Sequence, residues 1–239
     1  MKFLAPAVTI IVTSHMKPTL GEALESVITQ TRKDFQCLVL DSGQWIGQPG
    51  DLSAAMDAVY RKYAQHPLIE WVFTGEPPDL IRRKCPVAWV TNEAIRAGLP
   101  RGRYVCTFYD DDIYDPEFTE EMAGFLDRHP EAGAVWCSEY RAVGRPGAAA
   151  EVTGTIPAGG PKTAGQMDCQ VDGAQVMFRR EMLDRIGDPW LPEDADEGSC
   201  RHSDGIFLER LAQAAGVIPA VSQFLVTHRH TPFSRYSPS

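Results

Sequence analysis

The sequence has no glycine-rich phosphate loop. No G-x-G-x-x-G follows the first β-favouring run, which argues against a dinucleotide or common methyl-donor site, and no G-x-x-x-x-G-K-[ST] occurs, which argues against a P-loop NTPase. A G-x-S-x-G nucleophile elbow is also missing. There is no excess of basic residues: the formal charge of -9 leaves no electrostatic footprint for bulk nucleic acid or an anionic membrane. No apolar run is long enough to span a bilayer, so any membrane work would be peripheral. The six cysteines, Cys37, Cys85, Cys106, Cys137, Cys169 and Cys200, include no C-x-x-C pair. They read as buried free thiols of a reducing cytosol, not as a disulfide framework or a zinc site.

What remains is an ordinary soluble, cytoplasmic chain of 239 residues whose 44% apolar content can bury one substantial core. The opening "MKFLAPAVTIIVTS" reads as a first strand from Val8 to Val12, not as a signal peptide, because no small-residue cleavage site follows. Apolar residues at Leu20, Ala23, Leu24, Val27 and Ile28 then form the stripe of a helix with Thr19 as its N-cap. A strand Phe35–Leu40 ending at Asp41, a helix carrying Met56, Val59, Tyr60 and Tyr63, a strand Ile69–Phe73 and a helix near Cys85–Ala97 continue the alternation. The strand Arg103–Tyr109 completes a mostly parallel α/β half, in which ligands bind beyond the carboxyl ends of the strands.

After it, Asp115 and Pro116 predict a helix start with Phe118, Met122, Phe125 and Leu126 on one face. A short strand Ala134–Cys137 follows, and the Gly/Ala/Pro-rich stretch from Arg141 to Gly165 reads as a long loop. "QVMFRREMLDRIG" reads as a strand running into a helix, "HSDGIFLERLAQAAG" as a helix and "QFLVTHRHTPFSRYS" as a last strand with a polar tail.

The chemistry concentrates in "RYVCTFYDDDIYDP", where an apolar strand meets Asp110, Asp111 and Asp112. Carboxylates about 4 Å apart repel by roughly 1 kcal/mol in water and by several times that at a partly buried site. They are therefore either solvated, as a turn before the Asp115 cap, or balanced by positive charge. Oxygen-rich ligands at a strand end suit Mg²⁺ or Mn²⁺, which share their shell with water and substrate phosphates.

The segments "VTIIVTSHMKPTLGEALESVITQTRKDFQCLVLDSG" and "GRYVCTFYDDDIYDPEF" resemble the opening and middle signatures of family 2 glycosyltransferases with the GT-A fold. "VDGAQVMFRREMLDRIG" and "SDGIFLERL" resemble their later, acceptor-side segments, so the likeness covers nearly the whole chain. The resemblance implies an α/β, Rossmann-like and mostly parallel sheet flanked by helices, with a smaller acceptor-side subregion. Residues 1–115 would be the nucleotide-sugar half and 116–239 the acceptor-binding and catalytic half of one compact domain.

It also implies site residues. Thr13, Ser14 and His15 would line the nucleotide base, and Asp41 would accept from a uracil-like imide. Asn92 would lie near the donor, with Arg82, Arg83 and Lys84 as substitutes for an arginine the family carries near that point. The family's metal motif, of DXD type, falls on Tyr109-Asp110-Asp111. Asp111 would then lead as metal ligand, with Asp110 toward ribose or metal and Asp112 in support. His230, or His228, would reach the metal or the diphosphate, and Arg229, Ser234 and Arg235 would cover the phosphates.

An inverting transfer needs a general base. The family's acidic pair matches Ser203-Asp204, so Asp204 is the base, with Glu193, Asp194 and Asp196 as rivals. Trp190 is a candidate sugar platform. The activity implied is a non-processive, metal-dependent, inverting transfer from a nucleotide-diphosphate sugar, a UDP-sugar foremost, to the hydroxyl of a saccharide or other acceptor. A nucleotide-sugar-binding module without transfer is the alternative, favoured by Ser203 standing where the family has Glu. A nucleotidyltransferase is disfavoured by the lack of a glycine-rich, lysine-bearing loop.

Overall fold

The computed structural model describes residues 5–14, 18–41, 50–73, 86–145, 147–168, 170–187 and 203–231. Within them the chain runs β1 (Val8–Ser14), α1 (Leu20–Ile28), β2 (Phe35–Asp41), α2 (Gly50–Tyr63), β3 (Ile69–Phe73), α3 (Pro86–Arg96), β4 (Tyr104–Tyr109), β5 (Ile113–Tyr114) and α4 (Phe118–Arg128). It continues through β6 (Ala134–Val143), β7 (Glu151–Ile156), a 3-10 turn (Gly173–Gln175), β8 (Val176–Arg179), α5 (Glu181–Ile186), α6 (Ser203–Ala215) and β9 (Ala220–His230).

The described strands form one sheet in the order β3-β2-β1-β4-β8-β6-β9-β5, with β7 paired to β6. β1 to β4 run parallel, β8 runs antiparallel between β4 and β6, and β9 returns parallel to β6. β1 and β2 are buried on both faces, and this is why "VTIIV" and "CLVL" are unbroken apolar runs. Val8, Ile10, Val12, Cys37 and Val39 join one core with the faces of α1 and α4, while Ile11, Leu38 and Leu40 join a second core with α3, α5 and α6. Burying each such Val, Leu or Ile stabilises by about 1.5–3 kcal/mol before chain entropy is counted.

Several details differ from the sequence reading. Thr19 does precede α1, but its side chain makes no capping bond; only its carbonyl accepts, from Glu22 and Ala23. Asp115 does not open a helix. Its carboxylate accepts from the Glu117 N–H at 3.0 Å, and α4 begins at Phe118. The helix end is served from a distance: buried Gln30 accepts from the Thr119 N–H at 2.8 Å and donates to the Asp115 carbonyl at 2.7 Å.

The stretch expected to be a loop from Arg141 is partly a hairpin, since β6 continues to Val143 and β7 pairs with it antiparallel. β7, "EVTGTI", is largely exposed along its length, so it lacks the apolar alternation that announces a strand.

These bonds predict that Gln30→Ala destabilises the chain by roughly 1–3 kcal/mol, the cost of stranding a buried donor and acceptor. Urea unfolding should show a lower midpoint with an unchanged slope.

Candidate active site

The carboxyl ends of β1, β2 and β4 lie side by side. Ser14 pairs in register with Asp41, and Thr13 with Tyr109. Asp41 is buried at the tip of β2. The Ser14 hydroxyl donates to Asp110 Oδ2 at 3.3 Å, and Thr13 donates to the Phe108 carbonyl at 3.3 Å. Asn92 is buried on α3, which packs on β1 and β2. His15, Arg82, Arg83, Lys84, Trp190, Glu193, Asp194, Asp196, Ser234 and Arg235 lie outside the described residues.

The three aspartates are not a solvated turn: Asp110, Asp111 and Asp112 are 0%, 3% and 0% exposed. The turn is held tightly. Asp112 N–H donates to the Tyr109 carbonyl at 3.2 Å. Immediately after it, Tyr114 stacks between Phe108 and Phe118 and donates its hydroxyl to the Thr107 carbonyl at 2.9 Å.

Arg229, 3% exposed on β9, donates from Nε to the Asp111 carbonyl at 2.7 Å and from Nη1 to Glu22. The expected phosphate contact is thus, in two of its donor groups, a clamp on the acidic turn.

One member of the triplet enters a cation-binding arrangement. Asp112, Asp172 and His228 each offer a ligand atom, and these atoms lie within 4.8 Å of one another. His228 Nδ1 is 3.0 Å from Asp112 Oδ1 and 3.8 Å from Asp172 Oδ2. The closer contact has the distance of an ion pair without the alignment of a hydrogen bond, for neither Asp112 oxygen nor His228 Nδ1 has a hydrogen-bond partner. Buried polar atoms are rarely left so. Converging oxygen and nitrogen ligands of this kind could hold a divalent metal ion. Asp110, Asp111 and His230 are not members of this group.

Asp172 reaches the group because its other oxygen caps the 3-10 turn, accepting from the Ala174 N–H at 3.0 Å within a capping box closed by Gln175. Gly173 allows the close approach: a Cβ there would lie 2.7 Å from the Tyr109 hydroxyl and 3.6 Å from Asp204 Cβ.

Burial pushes Asp112 up to about 6 against the opposing pull of His228. Burial would lower His228, but Asp112, Asp172 and Glu139 override it and raise the imidazole to about 10. Glu139, fully buried on β6, is pushed up to about 8 by burial and by Asp172, although Arg141 Nε stands 2.6 Å from its Oε1. His230 is lowered by burial and then by His228 and Arg141.

Asp204 opens α6, accepting the Gly205 N–H at 2.9 Å. It is raised to about 6 by burial and by Asp172. Asp168 lies over Gly205, where a Cβ would sit 2.1 Å from its Oδ1, and Glu209 accepts the Met167 and Asp168 N–H groups.

Asp172, Glu139 and Arg141 were not singled out from the sequence. Glu139 had a local signal, a lone acid following the apolar run "AVWCS"; Asp172 had only its place in "VDGA".

Comparison with solved structures places this architecture. The crystal structure of S. aureus TarS residues 1–349 with UDP-GlcNAc matches 97% of this chain and 61% of its own length, at TM-score 0.62 and 14% identity. The same region with UDP matches at TM-score 0.59 and 15% identity, over 94% of this chain and 61% of that one. The fold is of the GT-A type, as the resemblance implied. Among curated proteins, CgeD of Bacillus subtilis is 29% identical over 232 residues, 95% of this chain and 51% of CgeD, so the chain spans about half of that relative. No family model matches. No helix among the described residues is long and apolar enough to cross a membrane.

The raised groups have a consequence for stability. Glu139 and His228 hold protons in the folded chain over pH ranges where the unfolded chain, near 4.5 and 6.5, has released them. Their contribution is complete below those values and is lost as pH rises through about 8 and about 10. In EDTA, the melting temperature should therefore fall between pH 6 and pH 10, and Glu139→Gln should flatten the part below pH 8. A melting temperature independent of pH across this range would contradict the assignment.

Proposed function

We propose that this chain is a non-processive, inverting glycosyltransferase that moves a sugar from a nucleotide-diphosphate donor, a UDP-sugar, to an acceptor hydroxyl with the help of a divalent metal. The observation that carries this reading is the Asp112–Asp172–His228 group, in which the Asp112 oxygens and His228 Nδ1 are unbonded, beside Asp204 at the carboxyl edge of a sheet whose fold is shared with a protein crystallised with UDP-GlcNAc.

The roles follow from position and chemistry. Asp41, buried at the tip of β2, accepts from the imide of the base, beside Thr13 and Ser14. Ser14 steadies Asp110, which faces the ribose, and Arg229 steadies the backbone of Asp111. Asp112, Asp172 and, once its proton is displaced, His228 would hold Mn²⁺ or Mg²⁺, which would supply Lewis-acid stabilisation to the departing diphosphate. Asp204 accepts the proton of the acceptor hydroxyl as that oxygen attacks the anomeric carbon on the face opposite the leaving group. A carboxylate raised to about 6 is a stronger base than a solvated one and remains ionised at neutral pH.

Two measurements test the reading. Calorimetry with UDP should show binding that needs Mn²⁺ and is lost in EDTA, and Asp112→Asn should remove most of that metal dependence. Metal-independent binding of equal strength in both proteins would sink the metal assignment. With a working UDP-sugar and acceptor, Asp204→Asn should bind donor nearly normally yet lose roughly 10²–10⁴-fold in transfer. Wild-type transfer should rise with pH through about 6 as Asp204 ionises. Since Asn caps helices about as well as Asp, near-normal transfer by the Asn protein would leave Asp204 as a cap only.

A further inference from the structure

Arg141 is a second cation at this site, and no role above uses it. It lies on β6 in parallel register with His228 of β9, as Glu139 does with Val226 and Val143 with His230. Neighbouring strands run about 4.8 Å apart, and alternate residues share a face. Arg141 therefore projects beside the metal-binding imidazole, on the same side of the sheet. Its other neighbour in register, Gly154 of β7, carries no side chain to fill that flank.

The guanidinium is held at one end only. Nε stands 2.6 Å from Glu139 Oε1 while the side chain keeps 30% of its exposure. Neither Glu139 oxygen is hydrogen-bonded, and among the described residues no other protein group engages the Arg141 fork. Its Nη groups are thus committed to nothing in a partly buried position. Arg229, the adjacent arginine of β9, differs in this respect: its side chain emerges on the opposite face, opposite Ala142, and its Nε and Nη1 are bonded within the protein, which leaves only a fully buried Nη2 open.

A guanidinium fork with open donors is the protein group best matched to a phosphoryl oxyanion, which it grips with two parallel charge-assisted bonds. We propose that Arg141 is a donor-binding residue that grips the diphosphate of the nucleotide-sugar on the β6–β9 side of the Asp112–Asp172–His228 group, with Glu139 aiming its guanidinium. This assignment rests on the nucleotide-sugar reading above. A phosphate carried by the acceptor is the rival source of the same chemistry.

The test compares UDP with uridine, by calorimetry in Mn²⁺, on the wild type, Arg141→Met, Arg141→Lys and the double variant Arg141→Met/Glu139→Gln, with thermal unfolding as the check on folding. The double variant keeps the test open if the single Met change leaves buried Glu139 uncompensated and the protein unfolded. Expected is a 10–100-fold loss of UDP affinity in the Met variants, uridine affinity within about twofold of wild type, and partial rescue by Lys, which restores a charge without the fork.

Wild-type binding of UDP with unchanged affinity in a folded Met variant overturns the assignment. A rise confined to the KM of a phosphorylated acceptor overturns it in favour of the acceptor. A wild-type chain that binds no UDP overturns the donor reading and this assignment with it.

Discussion

The interaction on which the site depends is the burial of carboxylates against one imidazole. Asp112 and Glu139 are fully buried, and Asp172 and Asp204 are half-buried near them. Removing a carboxylate from water is costly unless it is neutralised or paired. Here the protein supplies His228 and Arg141 as positive partners, and Asp112, Glu139 and Asp204 rise toward neutrality. A divalent ion among Asp112, Asp172 and His228 would displace the imidazole proton and take over its pairing of the carboxylates.

The rest of the fold serves to keep that group together. Three of its parts come from elements far apart in sequence: the turn after β4, the 3-10 turn before β8 and the end of β9. Each is fixed by bonds that do no chemistry. Gln30 and the Phe108–Tyr114–Phe118 stack seat the chain on either side of the acidic turn. Arg229 clamps the turn from the opposite face of β9, and its partner Glu22 also accepts the Gly147 N–H at the tip of the β6–β7 hairpin. One strand therefore contributes to the site on both faces, His228 toward the carboxylates and Arg229 toward the backbone of Asp111.

Legibility from the sequence varied with how local the signal was. β3 has the bounds its β-branched and aromatic run indicates, and β1 and β2 are legible as short apolar runs rich in β-branched residues or leucine, the pattern of a doubly buried strand. The hairpin strand β7 leaves no local signal, because its residues are largely exposed and its flanks are rich in Gly, Ala and Pro. Local capping patterns point to Asp115 for α4, whereas the side chain that accepts the Thr119 N–H lies 89 residues away.

The chain's order of residues alone determined the alternation of strands and helices, the placing of three acids at a strand end and the presence of a basic, histidine-bearing last strand. Periodicity and composition act over a few residues, and these features need no more. Only the tertiary structure decided that Asp112 and not its neighbours meets Asp172 and His228, that Arg229 turns away to hold a carbonyl, and that Arg141 stands next to the imidazole. Register between strands separated by dozens of residues sets these outcomes, and a shift of one residue would turn every one of those side chains to the other face of the sheet.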